Sequence, residues 1–235
     1  RCEIFTDVEG VFTADPRVVS SAELISEITY EEMLEMASSG AGVLMARSVE
    51  FGRRYNVPII VKSTFKNNEG TEVKEKVMEE ALVSGVTHNT KEVKFTLFEV
   101  PDQPGIAGTV FGSLSKIGIN VDMIVQNVSK DSITDISFTA PTEQKDAVEN
   151  MLKNIAEELK AKGYDVDENV ARVSIIGAGM KSESGVASKM FQILGENSIN
   201  ISMISTSPIR VSCVIDNKDI NTALESLHKE FIERE

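Results

Sequence analysis

The sequence predicts two ferredoxin-like α+β sandwiches of βαββαβ order along its second part, and three observations predict them. A pattern starting at Gly105 recurs without a gap 80 positions later, at Gly185, with identity at Gly105/Gly185, Ala107/Ala187, Phe111/Phe191, Leu114/Leu194, Ile119/Ile199, Asn120/Asn200, Met123/Met203 and Ile124/Ile204. Each copy is preceded by an alternating, β-branched run and contains an apolar stripe at helical spacing. At 235 residues the chain exceeds one small domain, so two or three compact units are expected.

The elements follow in order. Val93–Val100 and Val170–Ile176 read as strands by alternation. Turns at Pro101–Gly105 and Gly177–Gly185 lead into helices whose inner stripes are Val110, Phe111 and Leu114, or Met190, Phe191 and Leu194. Strands at Asn120–Gln126 and Thr134–Ala140 and a helix over Gln144–Leu159 complete the first copy. Asn200–Ser205, Ile209–Ile215 and Ile220–Phe231 repeat that order in the second. Each unit then needs one more strand. Gly85–Asn89 and Tyr164–Val166 are the candidates; the residues leave their ownership open, and one unit can be nested in the other. Modules of about 65 residues are near the lower limit for an independent core, so side-by-side pairing of their sheets is expected. The charged stretch Asn67–Val77, carrying Gly70, reads as a connector between domains.

Composition narrows the function. With 41% hydrophobic and 26% charged residues the chain is an ordinary globular one. It has no apolar run of about 18 residues and no cationic leader, so a membrane partner is not expected and the location expected is cytoplasmic. A net charge of −13 disfavours nucleic acid, whose phosphates call for clustered Lys and Arg. Cys2, Cys213, His88 and His228 are scattered, with no metal-ligand spacing. Both thiols are expected to be structural, no metal site is expected, and His228 reads as a solvated surface residue.

The turn between first strand and first helix is where ligand chemistry can sit. Asp102 precedes Pro104 and Gly105 at a helix start, where backbone N–H groups and the helix dipole favour an anion. A free amino acid suits such a place, its carboxylate on the amides and its ammonium on Asp102 or a carbonyl. Gln126, with both a donor and an acceptor, can lie beside it. The plainer alternative makes Asp102 a helix cap and Gln126 an edge-strand polar residue.

The turn Pro101-Asp102-Gln103-Pro104-Gly105-Ile106-Ala107 and the strand around Asn120–Asn127 resemble the ACT domain, an amino-acid-sensing module. At the other end, Glu3–Arg17, with Thr6-Asp7, Gly10, Phe12 and Asp15-Pro16-Arg17, is similar to the nucleotide-binding segment of aspartokinases. Thr29–Ala37, Arg47–Glu50, Asn56–Phe65, Gly70-Thr71, Gly177–Ser182 and Ile204–Ser207 continue the same family's pattern over essentially the whole chain.

That resemblance implies the C-terminal piece of an amino-acid-kinase α/β domain over residues 1–80, then ACT domains over 81–167 and 168–235, possibly nested with strand exchange. It implies ATP-dependent phosphorylation of the side-chain carboxylate of L-aspartate to 4-phospho-L-aspartate, the committing step toward lysine, threonine and methionine, with Mg2+ carried by the nucleotide. Thr6, Asp7, Phe12, Thr13, Ala14, Asp15, Pro16 and Arg17 match ATP-contacting positions. Their chemistry agrees, since Arg17 can compensate phosphate and Phe12 offers an adenine-sized apolar face. Asp102, Gln103, Pro104, Gly105, Ile106, Ala107, Asn120, Val121, Asp122 and Gln126 match effector positions of the first ACT domain. Val186, Ala187, Asn200, Ile201, Ser207 and Pro208 match those of the second, and Ser137 a position close to the pocket. The implied effectors are L-lysine and/or L-threonine, held across a homodimer of ACT domains.

Two departures stand out. Family members begin with a Lys-Phe-Gly-Gly-Thr-Ser type phosphate loop, whereas this sequence starts inside the nucleotide segment and holds no Gly-rich phosphate cradle. Phosphoryl transfer rests on positioning and charge stabilisation, so no residue here is given a catalytic role and the chain alone is expected not to turn over. Gly42 and Met45-Ala46 stand where many members have Lys and His-Pro. The alternative from another class is a regulatory subunit that senses amino acids and performs no chemistry.

Overall fold

The structure, a computed structural model, describes residues 1–77, 81–127 and 132–233. The chain forms two compact units, one of residues 1–89 with 172–235, the other Thr90–Ala171.

The Thr90–Ala171 unit contains β6 (Glu92–Pro101), α3 (Ile106–Lys116), β7 (Ile124–Gln126), β8 (Ile133–Pro141), α4 (Lys145–Glu158) and β9 (Gly163–Asp167). The sheet order β7-β8-β6-β9 is the ferredoxin-like arrangement expected. Alternation drives it: Val93, Phe95 and Leu97 of β6 and Ile136 and Phe138 of β8 point inward onto Val110 and Leu114 of α3 and Val148, Leu152 and Ile155 of α4. Phe138 stacks on Phe95 at 5.3 Å between centroids and takes Phe111 edge-on at 5.7 Å.

The other unit begins with β1 (Cys2–Thr6), β2 (Glu27–Thr29), α1 (Tyr30–Ser38), α2 (Ala46–Tyr55), β3 (Ile59–Ser63) and β4 (Thr71–Lys74), in the sheet order β1-β3-β4-β2. Thr29 and Glu32 form a reciprocal capping box that starts α1. Left-handed Asn56, with φ of 51°, ends α2. The same unit holds β5 (Gly85–Asn89), β10 (Val170–Ile176), α5 (Val186–Glu196), β11 (Ile201–Ser207), β12 (Arg210–Asp216) and α6 (Ile220–Phe231). Their sheet order is β11-β12-β10-β5.

Strand ownership, open in the sequence, is decided by this pairing. Gly85–Asn89 pairs antiparallel with β10, Thr87 opposite Ser174, and so completes the second repeat's sheet. Tyr164–Val166 pairs with Leu97–Phe95 of β6 in the first. The second repeat is therefore interrupted by the first, and a cut of 81–167 and 168–235 divides β5 from its sheet. The boundary at residue 80 lies outside the described residues. The duplication is carried into the backbone, since α3 and α5 both start after a glycine of positive φ, Gly105 at 98° and Gly185 at 96°.

Three expectations are corrected. Asn67–Val77 is not a free connector: Thr71–Lys74 is a strand antiparallel to β3. Thr71 Oγ1, fully buried, accepts the Val11 N–H at 2.8 Å and donates to Ile25 O at 2.6 Å. The charges that suggested a linker, Glu72 and Lys74, lie on the outer positions of this alternating strand, where Lys74 pairs with Glu27 and Glu72. His228 is not solvated but wholly buried, because α6 turns Leu224, Leu227, His228 and Phe231 to the same interior. Of the two thiols, Cys213 is in the core, where burial pushes it up to about 12 and leaves it inert, whereas Cys2 is exposed.

Candidate functional site

The residues matched to a nucleotide site come from one short stretch that starts at Thr6, the last residue of β1. Val11 N–H is held by Thr71, and the carbonyl of Asp15 accepts from the amides of Val18 and Val19, which folds 12–19 into a tight turn. Thr13 is fixed through its backbone, its N–H on Glu23 O at 2.9 Å and its carbonyl receiving Val86 N–H at 2.7 Å. Around this turn lies a cleft of about 390 Å3, within the size range of small-ligand sites.

Thr6, Asp7, Phe12, Ala14, Asp15, Pro16 and Arg17 all line the cleft. Thr13 does not, because its hydroxyl is taken up by the Glu23 amide and by His228 on the other side of the turn. The second wall is Gly40–Val43 and the third is Val86, Thr87 and His88 of β5. Sequence reading missed β5 as a wall. Its run reads only as a strand, and no local signal says that the second repeat's sheet borders a turn some 70 residues upstream.

The electrostatics are specific. Arg17 grips Asp15 through Nε at 3.0 Å and a terminal nitrogen at 2.7 Å, and this holds the Asp15 carboxyl below the usual carboxylate range. The Arg17 side chain is otherwise exposed, so its remaining N–H groups are available. Burial pushes His88 below its ordinary value of 6.5, so it stands neutral near pH 7. Because the unfolded chain takes up that proton first as pH falls through about 6.5, the stability tied to neutral His88 is full above that pH and declines below it. The parent is therefore expected to lose more melting temperature between pH 7.5 and 5.5 than a His88→Gln variant, read by circular dichroism; equal losses would contradict this.

The walls are apolar at Val11, Phe12, Ala14, Val43 and Val86, with hydrogen-bonding groups at Thr6, Asp7, Thr87 and His88. Arg17 is the lining's only permanent cation among the described residues. Such a site fits a flat base and its sugar better than a whole triphosphate. Gly42, where the resemblance expects Lys, has nothing within 4 Å of where a Cβ would lie.

The effector-matched residues fall into separate clusters. Asp102–Ala107 surround the start of α3, where Gly105, not Asp102, is the N-cap and no side chain caps the helix. Asn120, Val121 and Asp122 follow the other end of α3, about 16 Å away along 11 residues. Gln126 is exposed on the edge strand β7. In the second repeat Val186 and Ala187 open α5, Asn200 and Ile201 follow its other end, and Ser207 and Pro208 lie at the far end of edge strand β11. Among the described residues, the matched positions of each repeat thus lie at separate places along the helix and the edge strand. Ser137, hydrogen-bonded to Thr96 at 3.0 Å, lies on β8 opposite Val125 of β7. Ile124 and Ile204, a repeat-equivalent pair on these edges, are 49% and 44% exposed.

The sequence matches the ACT domain over residues 99–154 and 173–231 and the amino acid kinase family over residues 1–63. It is 50% identical over 234 residues to aspartate kinase of Pseudomonas fluorescens, covering 98% of this chain and 57% of that protein. Among solved structures it is similar to a chain of aspartokinase alpha and beta subunits, with 40% identity and a TM-score of 0.60, covering 63% of this chain and 98% of that one. It is also similar to E. coli aspartokinase III, at 29% identity. The complex of that enzyme with aspartate and ADP, an R-state, gives a TM-score of 0.82 over 97% of this chain and 52% of that one. Its complex with lysine and aspartate, a T-state, gives 0.79 over 99% and 52%. The chain spans about half to three-fifths of the length of the curated relatives it matches, 57% in the Pseudomonas fluorescens protein.

Proposed function

The chain belongs to the aspartokinase family, and from that premise we propose that it supplies the nucleoside-binding cleft and the amino-acid-sensing half of an aspartate kinase. The reaction is transfer of the γ-phosphoryl group of Mg·ATP to the side-chain carboxylate of L-aspartate. The observation that carries this reading is the convergence of seven of the eight nucleotide-matched residues on one cleft. ADP in the E. coli relative supports the ligand class. Phe12, Ala14 and Val86 offer apolar surface to a base, Thr6, Asp7 and Thr87 offer polar groups to base and ribose, and Arg17 faces outward toward phosphate. This sequence has no Gly-rich phosphate cradle and, among the described residues, a single lining cation, so on its own it binds without turning over.

The two repeats take L-lysine and/or L-threonine. The uncapped starts of α3 and α5 present amide donors to an amino-acid carboxylate, and Asp102 or Asp122 offers charge to an ammonium. Lysine in the E. coli relative is in keeping with this. Pairing of a second copy along the open edges β7 and β11 covers Ile124 and Ile204 and joins partial sites into complete ones. Effector binding then shifts the arrangement that holds nucleotide, a coupling of about 1–3 kcal/mol being enough.

A purely regulatory subunit is the second reading, favoured by the near-complete coverage, 98%, of a solved aspartokinase subunit chain. Calorimetry separates the two. Mg·ATP should give binding heat that disappears in Gly42→Phe, whose side chain enters open space at the cleft wall, while lysine or threonine heat persists. Amino-acid binding with no nucleotide binding to the folded parent would favour the regulatory subunit. No binding of either would sink both.

A further inference from the structure

His228 belongs to α6, the last helix of the second repeat, and nothing in the reading above uses it. It is 0% exposed, yet both ring nitrogens are engaged. Nε2 lies 2.9 Å from Thr13 Oγ1 and Nδ1 lies 3.1 Å from Glu233 Oε1, a carboxylate that also accepts the Ser21 hydroxyl. Thr13 Oγ1 already accepts the Glu23 amide at 2.9 Å, so its own proton is free to point at the imidazole. Nδ1, facing the Glu233 carboxylate, is then the donor to it, and Nε2 is the nitrogen that meets the Thr13 hydroxyl.

Thr13 is the pivot. Its backbone is tied to Glu23 and to Val86 of β5, its side chain to α6, and its two chain neighbours, Phe12 and Ala14, both line the cleft. A displacement of α6 therefore reaches the cleft through one side chain. We propose that His228 is a positioning residue for the nucleotide-facing turn: acting through Thr13, it sets Phe12, Ala14 and Asp15, and so lets the second repeat govern how well the cleft accepts nucleotide. The proposal rests on the nucleotide reading of that cleft.

The test uses three substitutions in the whole chain. His228→Phe keeps the ring volume and removes both nitrogens, Thr13→Val removes the hydroxyl at constant shape, and His228→Gln keeps an acceptor near the Nε2 position. Loss of the shared Thr13–His228 hydrogen bond predicts that His228→Phe and Thr13→Val each weaken Mg·ATP binding about three- to tenfold. The double variant should weaken binding by less than the product of the two single effects, because the Thr13–His228 contact is common to both although each also removes one contact of its own, and His228→Gln should stay within about twofold. Amide exchange over residues 12–17 should quicken in His228→Phe, with Thr90–Ala171 unchanged. Parent affinity and parent exchange in both His228→Phe and Thr13→Val would overturn the role. If the parent takes no Mg·ATP, the nucleotide reading fails, and the exchange comparison alone then decides whether His228 holds the turn.

Discussion

Glu32→Ala is expected to lower stability by about 3–5 kcal/mol, since several buried neutral donors lose their acceptor at about 1–3 kcal/mol each. Glu32 is 2% exposed, and four donors converge on it. Thr29 contributes its amide at 3.2 Å and its hydroxyl at 2.6 Å, Ser84 its hydroxyl at 2.5 Å and Ala178 its amide at 2.9 Å. These come from the cap of α1, from the residue before β5, and from the turn that follows β10. Alanine leaves all four without an acceptor and opens a cavity. At about 2–4 °C per kcal/mol for a domain of this size, the melting temperature should fall by about 10 °C. Glu31→Ala, one residue away, is the control: Glu31 pairs with Arg53 and Lys181 on the surface and should cost about 1 kcal/mol or less. A Glu32→Ala melting curve within about 2 °C of the parent would sink this account.

Gly40→Ala is the second large effect, and it reaches the cleft directly. Gly40 has φ of +114°, and a Cβ there would lie 1.9 Å from His88 O and 2.7 Å from His88 C. The clash is with the backbone of β5, which cannot rotate aside as a side chain can. Strain and overlap together should cost about 3 kcal/mol or more, and relief requires the Gly40–Val43 wall to part from the Thr87–His88 wall. Weaker Mg·ATP binding should therefore accompany the lower melting temperature. Gly42→Ala, two residues on and meeting nothing within 4 Å, should change stability by about 0.5–1 kcal/mol at most. If the two alanine variants melt alike, the close approach of these walls is not what the glycine serves.

Local pattern was enough for much of this. The alternation of Val93, Phe95 and Leu97 with their partners in β8, and the 3.6-residue stripe of Val110 and Leu114, identified strands and helix because one face of each must leave water. The clustering of Thr6 to Arg17 was legible for a related reason. Residues contiguous in a tight turn stay together whatever the rest of the chain does. Where pattern misled, exposure was inferred from polarity alone. His228 was assigned to solvent because it is polar, although it lies on the same helical face as Leu224, Leu227 and Phe231. Glu72 and Lys74 suggested a linker, although Thr71 and Val73 between them alternate inward.

The sequence by itself determined the duplicated units and their element types, since periodicity and turn chemistry are local properties, and family resemblance singled out the contiguous residues of the turn after β1. Only the tertiary structure decided which sheet receives Gly85–Asn89, that Thr87 and His88 form a cleft wall, that Glu32 joins α1 to Ser84 and Ala178, and that His228 joins α6 to Thr13. Those are long-range pairings between segments separated by 100 residues or more in places, as Thr13 and His228 are by 215. A buried carboxylate or imidazole is tolerable only where its donors and acceptors meet it in space, and the order of residues along the chain does not record that meeting.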